Sequence, residues 1–346
     1  MSFLKSRAFF VFRVVASVSL IVLILSRADL GQVLETMRGV GAGAPLLVFA
    51  FLIVNLLISA WRWWELLHIH GIPHRFADLV RWYFIAQFFN NFLPTSIGGD
   101  GFRVYRTYSR RRYRSTAFLV VFMERLSGLA ALLVLGWIAA GWMVVGSGDA
   151  FSRRVFLGGT AIGVASVIAL LVLVWLVRRY GAAVASRLPS IVTNVLEHAR
   201  DYRRNPRATA RALLTAFGFH LSALLWTWCL ARAVGADISF AALLVVMSLV
   251  SVVSVLPLSI NGIGLVDGAF IVLAGQYGMD HESGLTFVLL QRALVALVSV
   301  IGMLFYLLER RRAPDVPPEP LASGADAVPA ADEVLEAPPS PPLHPR

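Results

Sequence analysis

The chain has 346 residues, of which 58% are hydrophobic and only 15% charged, and its mean hydropathy is +0.73, which excludes an ordinary soluble domain of this length. The formal charge of +11 is not a nucleic-acid signal: Lys5 is the only lysine, and the arginines cluster beside apolar runs, where they orient a membrane protein and meet anionic headgroups. The single cysteine, Cys229, excludes an internal disulfide and argues against a cysteine metal site.

In chain order, full spans of about 20 apolar residues fit at Phe9–Leu25, Ala44–Trp61, Thr116–Val144, Val155–Val177, Ala208–Ala231 and Gly284–Leu308. The first follows Lys5 and Arg7 but lacks a small-x-small cleavage site, so it reads as an uncleaved helix rather than a signal peptide. Trp61, Trp63, Trp64, Trp82, Trp137, Trp142 and Trp175 fall near predicted interfaces. Two further apolar stretches, Phe76–Leu93 and Phe240–Pro257, run into a repeated motif. Its first copy is Leu93-Pro-Thr-Ser-Ile-Gly-Gly-Asp-Gly101 and its second is Leu256-Pro-Leu-Ser-Ile-Asn-Gly-Ile-Gly264, identical at six of nine positions. A span follows each copy and carries an acid-or-amide next to arginine, Glu124-Arg125 and Gln291-Arg292. A membrane helix broken twice by the same Pro/Gly signal is the mark of a transporter built from internal repeats.

Arginine placement decides the topology. If both stretches are re-entrant, six full spans leave both termini in the cytoplasm, with 23 Lys/Arg inside and five outside. Full crossing of Phe76–Leu93 would instead send Arg103–Arg114 and Arg178–Arg211 outward. The first hairpin then enters from the cytoplasm and the second from the opposite side. The expected fold is an all-α polytopic membrane protein of about six transmembrane helices plus two re-entrant helical hairpins in an inverted-repeat arrangement. Residues 1–312 form its membrane domain, and residues 313–346, with ten of the 16 prolines and six acids, form a disordered tail. Within the basic loop, Ile191–Tyr202 fits a short interfacial amphipathic helix.

The candidate site gathers on the two motifs. Gln87, Asn90 and Asn91 share one helical face entering the first tip, as a polar lining or as interhelical glue. In the tip, Pro94 breaks the helix, Ser96, Gly98 and Gly99 offer backbone N–H groups, a hydroxyl and room for close approach, and Asp100 can pair with Arg103 or Arg125 or take a proton or cation. Arg125 sits about ten residues into its span, roughly 15 Å deep, and Arg292 about eight, roughly 12 Å. A central arginine costs about 2.5–3.5 kcal/mol to insert, so each should face a cavity or a partner. Two such arginines suit an anionic ligand such as a lipid phosphate; the structural alternative pairs Arg125 with Asp100 and Arg292 with Asp267. Glu124 lies about 100° round the helix from Arg125 and is a poor partner for it. Asn261, Gly262, Gly264 and Asp267 flank the second tip as possible lining, with Gln291 and Arg292 on the span that follows.

Other groups have simpler readings. His220 reads as a hydrogen-bonded packing residue, and His68, His70 and His74 as a surface loop rather than a metal site. The run Arg103–Arg114, interleaved with tyrosines, reads as an inner-leaflet headgroup contact. No GxSxG, Walker or HExxH motif is visible, and neither a catalytic residue, a cofactor nor a metal is expected.

Asn90-Asn-Phe-Leu-Pro-Thr-Ser-Ile-Gly-Gly-Asp-Gly-Phe-Arg103, with Glu124-Arg125 and Gly128 behind it, resembles the lysylphosphatidylglycerol synthase transmembrane region, the flippase-like domain family, over roughly residues 8 to 310. In bifunctional members this region is linked to moving aminoacylated phosphatidylglycerol between leaflets, while a soluble domain makes that lipid. Here only the tail follows Arg312, so the resemblance implies a translocase without the transferase, not an enzyme, in a bacterial inner membrane. The expected partners are membrane lipids, an anionic phospholipid or a polyprenyl-phosphate lipid, with a separately encoded lipid-modifying enzyme as a further possibility. A membrane component acting on polyprenyl-phosphate-linked sugars and a secondary transporter of a soluble anion are the competing readings.

Overall fold

The computed structural model describes residues 15–26, 28–92, 98–107, 114–180, 202, 204–256 and 258–312. These form helices α1 (Val15–Ser26), α2 (Leu30–Gly39), α3 (Gly43–Ile69), α4 (Phe76–Phe92), α5 (Gly98–Thr107), α6 (Arg114–Ser147), α7 (Ala150–Tyr180), α8 (Pro206–Ala233), α9 (Phe240–Val255), α10 (Leu265–Gly275) and α11 (His281–Arg312). A 3-10 turn, Ile260–Gly262, lies between α9 and α10, and the described residues contain no strand. Met1–Leu307 is one compact unit and Leu308–Arg346 a second. Residues 191–201 of the expected interfacial helix, the Pro-rich tail, and Pro94, Ser96 and Pro257 of the motifs lie outside the described residues.

Among the described residues, four helices are long and apolar enough to cross a membrane: α3, most of α6, α8 and His281–Glu309 of α11. They coincide with four of the six expected spans. α1 and α2, bent by 84° at a short break, count as a fifth if they are one span. α7, 31 residues long, encloses the expected segment 155–177. Leu46, Trp142, Val145 and Ile162 stay exposed on these helices, as lipid-facing side chains do.

Helix ends follow local chemistry. Asp29 accepts from the Gly31 and Gln32 N–H groups at 2.8 and 3.2 Å, Ser239 accepts from Ala242 N–H at 3.1 Å, and Pro206 opens α8. α10 begins at Gly264, whose φ of +80° suits a residue without Cβ.

Each motif joins two short helices that pack on one another, α4 on α5 and α9 on α10. At 17, 10, 16 and 11 residues, none of the four exceeds about 26 Å, less than a hydrocarbon core of about 30 Å. Gly99 lets α5 approach α4 so closely that an added Cβ would meet the Ala86 carbonyl and the Asn90 side chain. Gly302 of α11 packs in the same manner on the Phe84 carbonyl of α4. A long helix bearing the arginine follows each pair, α6 and α11. The main core lies among α8, α9, α10 and α11, where Leu230, Ile238 and Leu243 are buried and Phe270 stacks on Phe287 at 4.5 Å.

Candidate functional site

Each arginine is held by the acid of its own hairpin. Arg125 Nε and Nη2 donate to Asp100 Oδ2 and Oδ1 at 3.1 and 3.0 Å. Arg292 Nε and Nη2 both donate to Asp267 Oδ1, at 3.1 and 2.9 Å. Both acids stand in the first turn of the second short helix, and in both pairs the arginine follows by 25 residues. The internal pairs set out above as the alternative to a ligand are therefore formed. They leave capacity over: the Arg125 side chain remains 58% exposed and that of Arg292 34%.

The second tip is built around its arginine. Arg292 Nη1 donates to the Asn261 carbonyl at 3.2 Å, and Asn261 adopts φ +49°, a left-handed conformation that asparagine tolerates. Gly262, also left-handed at φ +72°, lies against Val266 and the Arg292 guanidinium. Asp267 Oδ2 accepts the Gly264 N–H at 2.9 Å, so one carboxylate both starts α10 and holds Arg292.

Asparagines tie the two tips together. Asn90 Oδ1 accepts the Gly99 N–H at 2.9 Å, closing the first hairpin. Asn91 Oδ1 accepts from Asn261 Nδ2 at 3.0 Å, and Asn91 Nδ2 donates to Ser299 Oγ. Asn91 thus bridges α4, the second tip and α11, combining the glue and lining roles.

Beside the first tip lies an ionic cluster that the sequence did not reveal. Arg103, 1% exposed, pairs with Glu124, stands 3.6 Å from Asp100, and lies 4.3 and 4.4 Å from the ring centroids of Trp63 and Tyr83. The Tyr83 hydroxyl donates to Glu124 Oε1 at 3.1 Å. Arg62 Nη2 donates to the Glu124 carbonyl at 2.5 Å and to Ser127 Oγ at 2.6 Å. One expectation is corrected. Arg103 is a core residue and not an inner-leaflet surface contact, because Glu124 and two aromatic faces offset its desolvation. Trp63, expected near an interface, is fully buried beneath it. Arg62 lies one residue beyond the expected end of its span, but α3 continues to Ile69, so this charge too is inside. Arg62 and Glu65, buried and three apart in an aromatic run, were the available signal.

Two adjoining cavities open among these elements. The larger, about 490 Å³, is lined by Arg125, Arg292, Asp267, Asn91, Asn261 and Gln291, with Ser251 and Ser254 from α9. The smaller, about 360 Å³, is lined by Asn55, Ser59, Tyr83, Arg103, His220 and apolar groups including Leu56 and Phe219. Gln87, Asn90, Arg125 and Trp226 border both. Of the expected site residues, Asp100, Glu124, Gly98, Gly99 and Gly264 line neither; they shape the walls. Ser251 and Ser254, three apart on an apolar helix, and Trp226 are lining residues that the sequence reading missed. His220 donates its Nε2–H to the Gly128 carbonyl at 2.8 Å, as the hydrogen-bonded packing residue expected. Among the described residues no group of three or more His, Cys, Asp and Glu could hold a metal ion.

The family model described as Lysylphosphatidylglycerol synthase TM region matches residues 10–302. Comparison with curated proteins gives no match.

Proposed function

The chain is an integral membrane protein that belongs to the lysylphosphatidylglycerol synthase TM region family, and from that premise we propose that it moves a lipid with an anionic headgroup between leaflets. One observation carries this reading: Arg125 and Arg292, from two separate helices, line a single cavity of about 490 Å³ while their side chains stay 58% and 34% exposed. A phosphate entering there meets two forked donors, with the amides of Asn91, Asn261 and Gln291 around it.

The rim supports a lipid over a soluble anion. Ser251 and Ser254 line the cavity, while their neighbours Val252 and Val255, 48% and 63% exposed, carry an apolar surface to its edge, as do Leu256 and Leu258. Acyl chains can remain in the bilayer while the headgroup is inside. In this proposal the hairpins are re-entrant and inverted, and one repeat rocks against the other to alternate access. Both termini are cytoplasmic, the membrane is a bacterial inner membrane, and the chain carries out transport without catalysis. A separately encoded enzyme that modifies the lipid is a fitting partner.

The test is reconstitution of the full chain in vesicles with a headgroup-sidedness assay. Faster equilibration of an anionic lipid by the wild type, lost in Arg125→Ala plus Arg292→Ala, is expected. An unchanged transbilayer distribution for phosphatidylglycerol and for polyprenyl phosphate alike would overturn the proposal.

A further inference from the structure

The first helix lines neither cavity, yet it grips the second tip. α1 turns one face inward: Ser17, only 5% exposed, with Leu20, Ile21 and Ile24 half-buried on the same side. Val15, Val18 and Val22, on its other faces, are exposed. Ser17 Oγ accepts the Ile260 N–H at 3.0 Å. A Cβ on Gly264 would lie 2.7 Å from Leu20 Cβ and 3.1 Å from the Ser17 carbonyl oxygen, and Gly268, one turn on, lies against Ile24. Ser17 therefore meets both ends of the turn that runs from Ile260 to Gly264.

That turn is the irregular part of the second tip. Asn261, Gly262 and Gly264 have φ of +49°, +72° and +80°. A left-handed asparagine persists where its surroundings over-determine it, and such residues gather at sites with a task. The groups fixed by this turn converge on Arg292. The Asn261 carbonyl accepts from Nη1, and the Gly264 N–H holds Asp267, which accepts from Nε and Nη2. Three of the five N–H groups of Arg292 are thus committed, and one on each Nη is left over. Where those two aim depends on where the Asn261 carbonyl stands. The residue before Asn261 is Ile260, whose carbonyl closes the turn on the Ile263 N–H at 2.9 Å and whose N–H is held by Ser17. The path from Ser17 through Ile260 and Asn261 to the guanidinium is continuous.

We infer that Ser17 is a positioning residue: through the turn it fixes the aim of Arg292, so that the first helix sets how tightly a headgroup phosphate is held without touching it. The inference rests on the proposed function above. Removal of the Ser17 hydroxyl takes from the Ile260 N–H the acceptor it has here and frees the turn to shift, carrying the Asn261 carbonyl away from Nη1.

Binding of dihexanoyl phosphatidylglycerol to the detergent-purified full chain, measured by calorimetry, tests this. Ser17→Ala should weaken binding about fivefold, a size usual for residues that act from outside a site. Ser17→Thr keeps the hydroxyl and should bind within about twofold of the wild type. Ser17→Cys, nearly the same size but a weak acceptor, should bind like Ser17→Ala and serves where that variant fails to fold. The deciding comparison uses two backgrounds, each of which keeps one arginine. In Arg292→Ala, adding Ser17→Ala should change binding by less than about twofold, whereas in Arg125→Ala it should still cost severalfold. A packing role alone would lower the melting temperature without favouring one background. Wild-type affinity in both Ser17→Ala and Ser17→Cys, or an equal loss in the two backgrounds, would overturn the inference and leave the phosphate site standing. Absence of binding by the wild type would overturn the phosphate site and the inference with it.

Discussion

Asp100 and Arg125 form a two-pronged ion pair, Oδ2 to Nε at 3.1 Å and Oδ1 to Nη2 at 3.0 Å, on the wall between the two cavities. The arginine is the exposed partner, 58% against 17%. An exposed guanidinium held on one side by an acid is oriented without being used up.

Arg125→Ala should therefore hardly move stability, since Asp100 keeps Arg103 at 3.6 Å as a partner. Its expected effect is on translocation, slowed by tenfold or more in vesicles. Arg125→Lys should recover only part of the rate, because a point charge cannot reproduce the fork. A melting temperature within a few degrees of wild type, measured alongside the rate, separates this from unfolding.

Glu124 should behave in the opposite way. Glu124→Ala leaves Arg103 buried with only Asp100 at 3.6 Å, and breaking such a pair costs about 3–5 kcal/mol. Thermal unfolding in detergent should show a large drop in midpoint. Arg103→Met combined with Glu124→Leu should recover much of it, since no uncompensated charge then remains. A double variant no better than Glu124→Ala would contradict this account of the cluster.

Gly302 tests the packing of α11 on the first hairpin. A Cβ there would overlap the Phe84 carbonyl, which is backbone and cannot swing away. Gly302→Ala should cost about 1–3 kcal/mol through overpacking. Gly163, with open space around it, is the contrasting site: Gly163→Ala should leave the melting temperature unchanged or raise it slightly.

A pH dependence follows at the loop between α6 and α7. The Ser152 N–H, 2.5 Å from Asp149 Oδ2, holds the Asp149 carboxyl below the ordinary carboxylate range. A lowered value in the folded state means a stabilisation present above about pH 4 and lost as the pH falls through the lowered value. Asp149→Ala should cost about 0.5–2 kcal/mol near neutral pH, the usual worth of such a cap. Melting curves between pH 7 and pH 3 should bring variant and wild type together at the acid end; a gap that widens there would reverse the sign.

Much of the site could be read before any fold was known. Breaks at the two motifs and the polar face of Gln87, Asn90 and Asn91 follow from local patterns. The buried cluster of Arg62, Trp63, Tyr83 and Arg103 did not. Arg103 sits in a run of arginines that looks like a membrane-surface patch, and nothing local distinguishes the one that turns inward to Glu124. Arg62 was lost to a span boundary, since hydropathy ends a span where charge begins even when the helix goes on.

By itself, the sequence determined that the chain is a helical membrane protein with two copies of one helix-breaking motif, because hydropathy over about 20 residues and Pro/Gly chemistry act through neighbours along the chain. Only the tertiary structure decided which acid each arginine meets, and that Arg125 and Arg292, 167 positions apart, line one cavity. Those outcomes depend on how α6 and α11 lie against the hairpins. That arrangement is set by contacts such as Gly302 on Phe84 and Asn91 on Ser299, between residues more than 200 positions apart.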